Sequence, residues 1–114
     1  MTKRLFVLTL AIGLTFVFSG AALAADFSGS GEIVEIGCFK GQGAKGAGHA
    51  ACAQKCLNDG KDMGLLLEDG SIVKLTKGDD DVYKAAIALA GQMAKVAGSE
   101  ADGVVTIKSV EAAG

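Results

Sequence analysis

The sequence predicts a small, mainly β domain with two helices, its five strands arranged as a Greek-key barrel. Three observations predict it. "EIVEIGC", residues 32–38, alternates as a half-buried strand does. "MGLLLEDGSIVKL", residues 63–75, sets Asp69-Gly70 between two apolar, β-favouring runs, the signature of a two-residue hairpin turn. "QMAKVAG" and "GVVTIKSVE" close the chain as two more strands around a turn near Asp102-Gly103.

The first 24 residues are set apart from this domain. Lys3 and Arg4 precede an apolar run from Leu5 to Phe18, and Ala22-Leu23-Ala24 supplies small residues where a signal peptidase reads. The run is short for a membrane span. The expectation is a cleaved export signal over residues 1–24, a periplasmic or secreted location, no membrane span after cleavage, and one domain over 25–114. Setting aside 24 of the 114 residues leaves 90, enough for one modest core.

Without Lys3 and Arg4, 9 basic side chains face 13 acidic ones, a net charge of −4. Nucleic-acid partners need basic side chains to displace counterions, so that class is excluded. Phe27, Phe39 and Tyr83 are the aromatic residues left, too few for a base-stacking surface.

The elements follow in order. Asp26 to Gly31 is a small-residue lead-in. In the first strand Val34, Ile36 and Cys38 share one face, which delivers Cys38 to the core side at the strand end. Glu32 and Glu35 do not join that apolar set and read as solvated. "KGQGAKGAG" is a glycine-rich loop. Its Gly41-Gln42-Gly43-Ala44-Lys45-Gly46 matches a dinucleotide fingerprint in form, but 90 exported residues leave no room for a doubly wound sheet. "HAACAQKCLNDG" reads as a short helix stopped at Gly60. Met63 falls in the core and Lys40 and Lys45 in solvent. "DDDVYKAAIALAG" reads as the second helix, with Asp79–Asp81 as cap and dipole partner rather than a calcium site. Its apolar stripe is Val82, Ala85, Ala86 and Leu89.

Strand, inserted loop and helix, strand, strand, helix, strand, strand: without the insertion, this order over residues 31–110 resembles the OB-fold, a five-stranded Greek-key barrel with a helix between its third and fourth strands. Such domains bind ligands through, among others, the loop joining the first two strands. Here that loop carries "GHAACAQKC", residues 48–56, with the single histidine and two of the three cysteines.

A narrower resemblance lies in the same segment. A strand-end Cys38, a glycine-rich loop, His49-x-x-Cys52-Ala-x-x-Cys56 and then Met63-Gly-Leu-Leu is similar to a group of small, uncharacterised exported bacterial proteins. The resemblance implies Cys38, His49, Cys52 and Cys56 as motif positions. Asp62 stands where that group has proline.

On a helix His49, Cys52 and Cys56 fall within a sector of about 60°, one stripe. Three thiolates and an imidazole form a set suited to zinc, and soft sulfur also suits copper(I). His49 and Cys56 would stand about 10.5 Å apart along a helix. One ion reaches both only if the helix begins at or just after His49. The alternative is thiol chemistry. Cβ atoms four residues apart on a helix are about 5–6 Å from each other, and a disulfide wants roughly 3.5–4.5 Å. Cys38 would therefore pair with Cys52 or Cys56 in an oxidising compartment, giving a disulfide-stapled binding domain, or a thiol-redox protein if the remaining cysteine reacts. Cys52, near the helix start and close to His49, is the better reactive candidate. The covalent haem motif Cys-x-x-Cys-His is absent, and no catalytic triad or spaced carboxylate pair marks an enzyme. The expected partner is a metal ion or a periplasmic protein.

Overall fold

The computed structural model describes residues 24–113. The expected export signal, up to its last residue, lies outside the described residues. Five strands form one sheet that closes on itself: β1 (Ala25–Glu35), β2 (Met63–Leu66), β3 (Ile72–Thr76), β4 (Met93–Ala101) and β5 (Val104–Ala112), in the order β1-β2-β3-β5-β4. The fold is thus mainly β with five strands, as the sequence predicts. Three α-helices, not two, accompany them: α1 (Ile36–Gln42), α2 (Ala50–Asn58) and α3 (Asp80–Ala88), with a 3-10 turn over Ala47–His49.

β1 closes the sheet because it serves two neighbours. Its first part pairs with β4, from Ala25 opposite Glu100 to Glu32 opposite Met93. Its last four residues pair with β2, from Glu32 opposite Leu66 to Glu35 opposite Met63. The small-residue lead-in is therefore strand: its backbone groups find partners in β4 although its side chains bury little.

The strand stops at Glu35, and here the alternation misleads. The Glu35 carboxylate accepts the backbone N–H of Gly37 at 2.7 Å and of Cys38 at 3.0 Å, which turns the chain into α1. Cys38 is thus a helical residue, not a strand end, and Lys40–Gln42 belong to α1 rather than to a loop. Gly43, in the left-handed region, ends α1, its N–H bonding to the Phe39 carbonyl at 2.8 Å.

β2 and β3 form the expected hairpin with a longer turn. Leu66 pairs with Ile72, the Leu67 N–H meets the Ser71 carbonyl at 2.9 Å and the Gly70 N–H meets the Leu67 carbonyl at 3.0 Å. Glu68-Asp69-Gly70 is therefore a three-residue loop, with Gly70 at φ +90° where a bulge requires it. The Asp69 carboxylate fixes it by accepting from the backbone and hydroxyl of Ser71. β4 and β5 join through Asp102 (φ 54°) and Gly103 (φ 81°), a two-residue turn as expected. β3 and β5 pair in parallel.

α3 crosses between β3 and β4. Asp79 caps it by accepting from the N–H groups of Asp81 and Val82. Ala86, Ile87 and Ala90 are buried and Val82, Tyr83 and Leu89 half-buried against the core, whereas Ala85 is exposed. The stripe is rotated because Ile87 and Tyr83 offer more apolar area than Ala85. The core itself is Ile33, Met63, Leu65, Leu75, Val96, Val105 and Ile107, all nearly or fully buried. α2 joins it through Leu57, 2 % exposed, and through half-buried Ala53. Among the described residues, no helix is long and apolar enough to cross a membrane.

Candidate metal centre

α1 and α2 both belong to the segment between β1 and β2, and each brings one cysteine to the end of β1. Cys38 sits in the first turn of α1 and Cys56 in the second turn of α2, both half-buried. With Glu35 they form a cluster: one carboxylate oxygen and the two sulfurs all lie within 4.8 Å of one another. Two thiolates bound at about 2.3 Å to one tetrahedral zinc stand about 3.8 Å apart, so only a small contraction separates this arrangement from a coordinating one.

Glu35, expected on the solvated face, is 6 % exposed. Burial pushes its carboxyl up. Hydrogen bonds from the Cys38 thiol and from the Gly37 and Cys38 N–H groups, with the charge of Lys61, outweigh burial and hold it below its ordinary value. The same contact acts oppositely on the sulfur. The hydrogen bond to Glu35, then burial, then electrostatic repulsion from Glu35 and from neighbouring Cys56 and Cys52 push the Cys38 thiol up to about 11. Cys38 is therefore a protonated thiol at neutral pH, and a metal binding there must displace that proton.

His49 is the last residue of the 3-10 turn and the N-cap of α2, with no capping bond from its side chain. The helix begins just after it, as a single ion reaching both His49 and Cys56 requires. His49 and Cys52 are exposed and do not belong to the tight Glu35–Cys38–Cys56 group. They line, with Glu35, Cys38, Val34 and Ala53, a cavity of about 90 Å³ between α1, the start of α2 and β1. That is room for several water-sized groups. Glu32 anchors the cavity rim by accepting the Gly46 N–H. Lys45, expected as a solubility residue, is exposed and also borders the cavity.

All three cysteines are free thiols. Of the two pairings expected for Cys38, the tight cluster contains the one with Cys56. Strand alternation points Glu35 outward, so the sequence pattern does not mark it as a site residue. Its three-residue spacing to Cys38, one helical turn, was the signal available.

No family model, no curated protein and no solved structure matches this chain.

Proposed function

We propose that this protein is an exported, periplasmic domain of OB type that binds one soft or borderline metal ion, copper(I) or zinc, through its Cys/His cluster. The observation that carries the reading is the approach of Glu35, Cys38 and Cys56 to within 4.8 Å of one another. Two sulfurs and one carboxylate make a donor set that oxygen-seeking magnesium or calcium does not favour and that zinc or copper(I) does. His49 and Cys52 line the adjoining cavity, outside that group. The strand order, with β3 and β5 parallel, supports the OB assignment, and the cluster occupies the connection between β1 and β2, a customary ligand-binding loop of that fold. The likeness of the Cys38…His49-x-x-Cys52…Cys56 segment to exported bacterial proteins supports the location.

The test is anaerobic titration of the reduced chain with Zn²⁺ and with Cu(I), each against a competing chelator. Cys38→Ser and Cys56→Ser should each weaken binding by about a hundredfold or more, since each removes a charged soft donor. Binding should also weaken as pH falls, because protons compete for the sulfurs. Affinity no better than that of the variant with all three cysteines replaced by serine would end this reading.

A second reading rests on the same pair. In an oxidising compartment Cys38 and Cys56 are placed to form a disulfide, leaving a stapled binding domain with Cys52 as its free thiol. Native mass measurement separates the two: bound metal in one case, a loss of two hydrogens in the other.

A further inference from the structure

We infer that His49 and Cys52 form a capture station at the mouth of the cavity, from which the ion passes inward to Cys38 and Cys56. The inference rests on the metal-site reading and divides the labour within it.

The donors are graded in depth. His49 and Cys52 are exposed, Cys38 and Cys56 are half-buried, and Glu35 is buried. One cavity runs from the exposed pair to Cys38 and Glu35, since His49, Cys52, Cys38 and Glu35 all line it, and Cys56 stands with those two in the tight group. The inner three donors are already gathered, whereas His49 and Cys52 stand outside that group. An incoming donor complex therefore meets His49 and Cys52 first.

The path is short. Cys52 and Cys56 are one turn apart on α2, so their β-carbons are about 5–6 Å from each other. The ion moves by ligand substitution. Cys52 and His49 enter its coordination sphere as the donor's ligands leave. Cys38 and Cys56 then replace His49 and Cys52, with Glu35 as the third inner donor. The oxidation state of the ion does not change. Each thiol that binds gives one proton to solvent, and Cys52 takes one back when released. Glycine just before the 3-10 turn and within it, at 46 and 48, leaves the segment carrying His49 short of side chains that would block the approach: a β-carbon at Gly46 or Gly48 meets nothing within 4 Å.

The experiment measures loading rate and equilibrium affinity separately, on the reduced chain and on His49→Ala, His49→Gln, Cys52→Ser and Cys52→Ala. Zn²⁺ and Cu(I) are delivered, in separate runs, as complexes with chromophoric chelators, and transfer is followed by stopped flow. Circular dichroism confirms that each variant is folded; both positions are exposed, so substitution there spares the core. The expected result is a loading rate lowered by about tenfold or more, with equilibrium affinity within about threefold of the parent chain. An unchanged loading rate would overturn the capture role. So would an affinity loss as large as that of Cys38→Ser, which would make His49 and Cys52 permanent ligands. Both outcomes leave metal binding itself intact. Uptake of neither ion by the parent chain would overturn the metal reading and this one together.

Discussion

The Glu35 carboxylate receives both the backbone N–H of Cys38, at 3.0 Å, and the thiol of the same residue. One side chain thus starts the helix α1 and masks the sulfur that this helix carries. The consequence is a cluster whose inner cysteine stays protonated until something stronger than a proton arrives. A cation that binds Glu35 and Cys38 together replaces the shared proton by a charge that satisfies both groups.

Masking should be visible in alkylation. At pH 8 a thiol with a pKa of about 11 is almost wholly protonated, and only the thiolate reacts. Iodoacetamide should therefore modify exposed Cys52 well before Cys38. Glu35→Gln removes the charge and the strong acceptor, so Cys38 should react about threefold faster for each unit its pKa falls, the larger thiolate fraction being offset in part by lower nucleophilicity. Mass mapping of partly alkylated protein reads the order; Cys38 reacting first in the parent chain would contradict the contact.

The same pair should bound the stability plateau on both sides. Glu35 has a folded-state value below its ordinary one, so its contribution is present above about pH 4 and is lost as pH falls through the folded value. Cys38 is raised from 9.0 to about 11, so its contribution is present below 9.0 and is lost as pH rises through about 11. Urea midpoints measured across pH should fall at both ends. Glu35→Gln should flatten both edges, and Cys38→Ser the alkaline edge. An alkaline edge that survives in Cys38→Ser belongs to another group.

Oxidation without metal should join Cys38 to Cys56. Their sulfurs are within 4.8 Å, whereas Cys52 and Cys56 are held one turn apart by α2. The bridge closes the loop that contains the 3-10 turn and the start of α2, a constraint worth about 3 kcal/mol in the chain-entropy account. Peptide mapping of oxidised protein checks the pairing, and chemical denaturation with and without reductant checks the gain. A Cys52–Cys56 link would mean that α2 unwinds in the oxidised state.

Much of this was legible in the sequence where one local rule acted alone. Asp79 before a helical stripe and Asp102-Gly103 between two β runs each fixed their element. The 3-10 turn and α1 were not legible, because α1 has two glycines in seven residues and little intrinsic preference for helix. It exists because Glu35 caps it and because the Ile36 N–H still reaches back to the Asp62 carbonyl at 2.9 Å, a contact far away in sequence. The candidate site was half legible for the same reason. Spacing gathered His49, Cys52 and Cys56 on one stripe, but which cysteine meets Cys38 depends on how α2 lies against β1. That is set by burial of Leu57 and Ala53, a tertiary effect that no local pattern encodes.

The last prediction concerns Gly91, which ties the sheet to the segment bearing His49. Its N–H bonds to the Ile33 carbonyl at 2.8 Å, and its φ of +83° is one that side chains disfavour. A β-carbon there would meet the Gly46 carbonyl oxygen at 2.9 Å, the Ala50 β-carbon at 3.0 Å and the Ala50 α-carbon at 3.1 Å, contacts that only backbone movement relieves. Gly91→Ala should therefore push the 3-10 turn and the start of α2 off the sheet, opening the cavity, at a cost of about 1–3 kcal/mol. Gly48→Ala is the control: a β-carbon there meets nothing within 4 Å, so stability should stay the same or rise by up to about 1 kcal/mol. Urea midpoints and metal-loading rates of the two variants are compared side by side. If the two alanines behave alike, the contact between Gly91 and the His49 segment does not hold the site.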